Sequence, residues 1–215
     1  PFVAPKKYFD LYEREKIEIP EISSDYLATL PELAVKSVRA KESQLNLEKE
    51  RAQEIKEAYY ATISFVDAQI GRILDQLENS GLDKNTVVVF TSDHGYHLGE
   101  HGHWQKNTLF ENATRVPLII SAPSSENKGV KSISPVELID LYPTLMDLTN
   151  INTPEHVVGK SLKPIMKNVN ASVRESALTR WRKGYSIKTK RYRLTKWGRN
   201  GELGYELYDH KNDKN

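Results

Sequence analysis

The chain has 215 residues, with 31 Lys and Arg against 29 Asp and Glu, a net charge of +2 and no cysteine. Charge this close to balance excludes a molecule that holds nucleic acid by electrostatics alone. The missing cysteines exclude disulfides and Cys-ligated zinc within these residues, and no apolar run is long enough to span a membrane.

A chain of this length can hold one good-sized domain with a real core. Residues 1–40 read as a loop-rich approach broken by Pro5, Pro20 and Pro31. From about residue 43 to 79 the apolar residues Ile55, Ala58, Tyr59, Phe65, Val66, Ile70, Ile73, Leu74 and Leu77 recur at helical spacing, and Gly81 is placed to stop that helix. Val87-Val88-Val89-Phe90 is β-branched, aromatic and too short for a helix, which predicts a fully buried parallel strand. A long helix feeding such a strand predicts a βαβ crossover. Pro117 to Ser121 predicts a second strand, and residues 136–148 predict a helix kinked or restarted at Pro143. Residues 150–172 read as a loop, and from Ala177 onward the chain reads as short strands and hairpins.

The first strand ends in Ser92-Asp93-His94-Gly95. Ligands of open α/β sheets bind at the carboxyl ends of strands, so a carboxylate and an imidazole there can turn toward one metal ion. Gly95 lets the backbone turn sharply behind them. A loop rich in His and Gly follows, Tyr96-His97-Leu98-Gly99-Glu100-His101-Gly102-His103, and then Trp104-Gln105-Lys106. Three histidines so close suggest zinc, but their spacing fits no common zinc motif, and Gly99 and Gly102 favour a loop. Beyond lie Thr108-Leu109-Phe110-Glu111 and Arg115-Val116-Pro117-Leu118-Ile119-Ile120. Near the end stand Gly184-Tyr185-Ser186-Ile187-Lys188-Thr189, Tyr192-Arg193-Leu194-Thr195 and Glu206-Leu207-Tyr208-Asp209.

Taken in this order, the segments resemble the second half of the formylglycine-dependent sulfatases of the alkaline-phosphatase superfamily, most closely the iduronate-2-sulfatase-like enzymes. The opening Pro1-Phe2-Val3-Ala4-Pro5-Lys6-Lys7-Tyr8-Phe9 is similar to a proline-rich segment of the same enzymes, so the resemblance spans nearly the whole chain. It implies an α/β fold, the C-terminal part of an alkaline-phosphatase-like mixed-sheet core over residues 1–170. A small C-terminal α+β subdomain with a hairpin would begin in residues 171–215. With no initiator Met and a last stretch where such enzymes usually continue, the chain is expected to be a fragment.

Hydrolysis of a sulfate ester by such enzymes needs a hard cation, positive groups for the developing charge and an acid for the leaving alcohol. The resemblance makes Asp93 and His94 metal ligands for one calcium ion. Many relatives carry Asp-Asn here, and the imidazole leaves manganese or zinc open. Lys106 is placed where sulfatases hold a lysine that contacts the sulfate group. His97 and His103 are candidates to touch substrate, and Trp104 could stack on a sugar ring. Glu100 and His101 are read as shaping the loop. By the same resemblance Arg115 is expected to pair with Glu111 or another acid as a buried prop.

The nucleophile of these enzymes is a formylglycine made from Cys or Ser in a Cys/Ser-x-Pro/Ala-x-Arg motif. Neither version occurs in this sequence, which places the nucleophile outside these residues. The cations from Arg180 to Arg199 are interleaved with Trp181, Tyr185, Tyr192 and Trp197. That mixture could hold single-stranded nucleic acid or an anionic glycan, while the alternation around Ile187 and Leu194 suggests a hairpin with one buried face.

The resemblance implies a sulfated carbohydrate or other small sulfate ester as partner, without nucleic acid. It also implies a periplasmic, secreted or lysosomal location. Two rivals remain at this point. One is a phosphonate or phosphodiester hydrolase or choline sulfatase of the same superfamily, and the other a non-catalytic remnant that binds anionic glycan.

Overall fold

A computed structural model describes residues 2–125 and 127–212. The first forty residues carry more structure than their prolines predict. They hold α1 (Lys6–Phe9), α2 (Ser24–Thr29) and α3 (Glu32–Val38). Pro5 and Pro31 stand immediately before α1 and α3, where a fixed φ and a missing N–H cost nothing. Ser23 caps α2 by accepting from the Tyr26 N–H.

The long helix α4 (Lys49–Asn79) appears as its apolar spacing requires, and it ends at Gly81 in a left-handed conformation. Residues 42–44 form a separate 3-10 turn, so the helix starts later than its pattern suggests. Its first half is anchored by the amino-terminal segment. Arg14 Nε donates to the buried Glu57 carboxylate at 2.6 Å, and Gln53 donates to the Ile17 carbonyl at 2.9 Å.

The strand expectation needs correction. β1 (Val88–Thr91) pairs antiparallel with β2 (Leu118–Ser121), between which lies the single-turn helix α5 (Glu111–Thr114). No parallel pairing occurs among the described strands, so α4 is not the crossover between two strands of this sheet. Nor is β1 fully buried. The cross-strand pair Phe90 and Ile119 is 41% and 61% exposed, since among the described residues this sheet has two strands and nothing covers that face. An apolar run marks a strand but carries no information on the direction of its partner.

Helix α6 (Leu141–Leu148) follows a 3-10 turn at Leu138–Asp140, with Pro143 inside its first turn rather than at a kink. Asp140 is fully buried and holds this corner. It accepts from the Arg174 guanidinium, the Lys160 N–H and the Glu137 N–H. After α7 (Lys163–Lys167) the chain builds a four-stranded antiparallel meander of β3 (Ala177–Trp181), β4 (Gly184–Lys188), β5 (Tyr192–Trp197) and β6 (Tyr205–Asp209).

This sheet has one buried face, and that face is the polar one. Ser186, Arg193, Thr195, Trp197 and Glu206 point inward, while the cross-strand row Leu178, Ile187, Leu194 and Leu207 is exposed. Side chains alternate with period two, so a single inward anchor commits its whole strand. Trp197 is that anchor for β5. It joins Leu109, Phe110, Ala34 and Val38 in the core that ties the sheet to α3 and to the loop after β1. The architecture is the expected mixed α/β one.

Candidate active site

Ser92, Asp93 and His94 leave the carboxyl end of β1 as the motif requires. The Ser92 hydroxyl donates to the His94 carbonyl at 2.8 Å and tightens the exit. His94 Nδ1 lies 2.8 Å from the Gly95 carbonyl oxygen, which can only accept, so Nδ1 carries the proton and Nε2 keeps its lone pair. That lone pair faces the Asp93 carboxylate at 3.6 Å and accepts from the Lys106 ammonium at 2.6 Å. Asp93 is 84% exposed and His94 34%. Carboxylate, imidazole nitrogen and ammonium thus meet at one open spot.

The loop brings Lys106 there over twelve residues of chain. The His97 N–H donates to the Gln105 carbonyl and the Gly99 N–H to the His103 carbonyl, both at 2.9 Å, closing a hairpin-like turn. Gly99 and Gly102 have φ of 106° and 69°, and His101 joins them at 56°. Glu100 shapes the turn as expected, accepting from the Leu98 N–H at 2.6 Å, and His101 Nδ1 meets the Tyr26 hydroxyl at 2.5 Å.

His97, His103 and Trp104 are not at the surface. All three are buried, so the side chains read as substrate contacts pack the underside of the loop instead. His97 Nδ1 faces the Glu100 carbonyl at 3.2 Å, and its Nε2 accepts from the Thr108 hydroxyl at 2.9 Å. Burial, with His103 and His101 beside it, pushes the His97 imidazole down to about 3. His103 Nδ1 meets the Val38 carbonyl at 2.9 Å. With both His97 nitrogens taken by protein partners, the three histidines are a packed core and not a metal cage.

Among the described residues no group of three or more His, Cys, Asp or Glu side chains could hold a metal ion. Asp93 and His94 nevertheless suit one as two of its several donors. Their facing atoms are 3.6 Å apart, a separation two donors can have when each binds one ion at 2.0–2.6 Å. The proton on Nδ1 is spent on a backbone carbonyl, the arrangement that orients metal-binding imidazoles.

The sulfatase family profile matches residues 2–151. The chain belongs to the sulfatase family. A second profile, for the C-terminal part of N-sulphoglucosamine sulphohydrolase, matches residues 99–215. A sulfatase of Formosa agariphila is 36% identical across all of the chain and 42% of its own length. Human iduronate 2-sulfatase is 33% identical over 72% of the chain and 34% of its own length. Among solved structures, the phosphonate monoester hydrolase of Silicibacter pomeroyi superposes with a TM-score of 0.87 at 25% identity, over 99% of this chain and 48% of that one. The chain thus spans less than half the length of these relatives.

One pairing differs from expectation. Arg115 is exposed and lies 3.9 Å from Glu111, whereas Arg193 of β5 donates to the same carboxylate through Nε at 3.1 Å and Nη2 at 2.5 Å. Burial pushes the Glu111 carboxyl up, but the Arg193 hydrogen bonds and charge outweigh it and hold the group below its ordinary range. The signal available in the sequence was a single arginine at an inward position of the meander. It could not be read without knowing which face is inward.

Gly95 shows why the motif ends as it does. A Cβ there would lie 2.0 Å from the Asn112 carbonyl oxygen and 3.2 Å from that of Arg115. Gly95→Ala is therefore expected to destabilise the protein by about 3 kcal/mol, the upper range for overpacking against rigid backbone. Urea unfolding of the variant checks this, and a loss under about 0.5 kcal/mol would show that the loop simply moves aside.

Proposed function

We propose that this chain supplies part of the active site of an enzyme that hydrolyses sulfate monoesters on a sulfated carbohydrate. The observation that carries the proposal is the meeting of Asp93, His94 and Lys106 at one solvent-open spot at the end of β1, with Nε2 of His94 left as a lone pair. Asp93 and His94 would hold one divalent ion, calcium being first choice and manganese or zinc second. Bound there, the ion would supply Lewis-acid polarisation of the ester's oxygens.

The chain's own residues do the rest of the work assigned to it. Lys106, whose ammonium caps the His94 Nε2 lone pair, would turn its compact positive charge to the sulfuryl or bridging oxygens as an ion takes its place on that nitrogen. The Gly95 carbonyl fixes the proton on Nδ1, so that Nε2 is the ring nitrogen turned outward to bind an ion. The sequence contains no cysteine and no Ser-x-Pro/Ala-x-Arg, so the formylglycine nucleophile comes from outside these residues. Iduronate 2-sulfatase among the relatives supports a sulfated sugar as substrate. A periplasmic, secreted or lysosomal setting belongs to the same reading, and no helix among the described residues is long and apolar enough to cross a membrane.

The test is turnover by the full-length enzyme of an aryl sulfate beside an aryl phosphonate ester, with calcium and after chelation. Chelation-sensitive turnover that favours the sulfate supports the proposal. Preference for the phosphonate would move the chain to the second reading, a phosphonate monoester hydrolase, which the superposition on the Silicibacter enzyme keeps in view. Lys106→Ala is expected to lower kcat/KM by about 100- to 1,000-fold, the cost of removing one aimed charge donor. Turnover within about threefold of wild type would remove Lys106 from the site.

A further inference from the structure

α5 has four residues, too few to hold itself helical, yet its backbone is what locates the metal-ligand pair. The Gly95 N–H donates to the Ala113 carbonyl at 2.8 Å, and the Gly95 Cα packs directly on the Asn112 carbonyl. Gly95 in turn fixes the His94 ring through its own carbonyl. Whatever steadies α5 therefore steadies His94.

The steadying contact comes from the far sheet. Arg193 is only 3% exposed, and two of its nitrogens converge on one oxygen of Glu111, the first residue of α5. Its third nitrogen donates to the Ser186 hydroxyl at 2.9 Å, which is also bonded to Thr195 at 2.9 Å. The guanidinium is thereby locked to two strands of the meander on one side and to α5 on the other. His210, just past β6, adds an imidazole 3.5 Å from the same carboxylate oxygen, and Arg115 and Lys188 contribute further positive charge around it. A buried forked arginine on a carboxylate fixes direction as well as distance, which a lysine or a surface pair does not.

We propose that Arg193 is a positioning residue. From the C-terminal sheet, through Glu111 and the α5 backbone, it sets the place of Gly95 and hence of the His94 imidazole. The inference rests on the reading of Asp93 and His94 as metal ligands, but its test does not need turnover.

The experiment is hydrogen exchange by mass spectrometry on the full-length protein, comparing the peptide over residues 93–97 with one over β5. In Arg193→Met, which keeps bulk and loses the donors, the 93–97 amides are expected to exchange at least about tenfold faster while the β5 amides change far less. Arg193→Lys is expected to restore part of the protection, since it returns the charge without the fork. Unchanged exchange at 93–97, or equal acceleration in both peptides, overturns the proposal, the second because it marks a loss of general stability. If Arg193→Met does not fold, Glu111→Gln is read in the same way, because it keeps the shape and removes the charge. Where wild type turns over a sulfate ester, the Met variant is expected to lose kcat by at least about tenfold with a smaller change in KM, the mark of a displaced ligand pair. A wild type with no sulfatase turnover would count against the proposed function and leave the exchange result standing.

Discussion

Turnover of a sulfate ester by the full-length enzyme is expected to fall about 10,000-fold when Asp93 and His94 are both replaced by alanine, the several kcal/mol that a Lewis-acid ion contributes to a transition state. Asp93 is exposed and His94 half-buried at the end of β1, and neither belongs to the core, so the variant should unfold within about 1 kcal/mol of wild type. That separation makes the experiment sharp, because activity and stability report on different things. His94→Asn alone is expected to be milder, since an amide oxygen remains a donor for a hard cation. The check is kcat/KM on a chromogenic aryl sulfate with calcium in excess. Residual turnover within about tenfold of wild type in the double variant would remove the pair from the metal site.

The second large effect concerns stability against pH and involves two buried groups of opposite sign. His97 is held neutral in the folded protein, with its imidazole pushed down to about 3 by burial from an ordinary 6.5. Below pH 6.5 the unfolded chain takes up a proton that the folded one refuses. Stability is therefore lost as pH falls from about 6.5 toward 3, by a total on the order of 5 kcal/mol.

Glu206 behaves in the opposite sense. Buried on the inner face of β6, its carboxyl is pushed up to about 7, chiefly by burial and offset only in part by the Trp197 indole. The folded protein keeps the proton that the unfolded chain releases, so stability is lost as pH rises from about 4.5 to 7, by roughly 3 kcal/mol. The two slopes oppose one another between pH 4.5 and 6.5, and each acts alone beyond that overlap.

Urea unfolding across this range is the measurement. Glu206→Gln should remove the decline toward pH 7, and His97→Gln should remove much of the decline in acid. Profiles of either variant that run parallel to wild type would mean that the group does not titrate as its burial requires. Such behaviour also bears on function, because His97 underpins the turn that delivers Lys106 to His94. Acid that charges His97 is expected to loosen that turn before it unfolds the sheet.

Much of this architecture is legible in the residues alone. The three- and four-residue spacing from Ile55 to Leu77 requires a helix because no other element places those side chains on one face. The apolar run before Asp93 requires a strand, and the abrupt change to Asp-His-Gly requires a turn whose polar groups end outside the core. Those local facts single out Asp93 and His94 at the strand exit, whereas Lys106 is named only through the resemblance to sulfatases; the structure brings the three side chains close together. Each such local fact depends on interactions within a few residues, or on a chain direction that the strand itself imposes.

Other features depended on which surfaces meet. Nothing in Val87-Val88-Val89-Phe90 encodes an antiparallel neighbour, because the run packs equally well in either direction. His97, His103 and Trp104 sit in the same polar, glycine-bearing loop as Lys106, yet they turn inward because α3 and Phe110 close over that side. The meander follows the same rule at larger scale. Its alternation fixed two faces, but only the seating of Trp197 against Leu109 and of Arg193 against Glu111 chose the polar one as the inner face. The sequence by itself determined the long helix, the strands and the side chains that leave β1, since those follow from local periodicity and chemistry, while the short helices in residues 1–40 and 163–167 read as loop. Only the tertiary structure decided the strand direction, the buried histidines and the clamp of Arg193 on Glu111. Those depend on partners up to 82 residues away, and no local pattern records that distance.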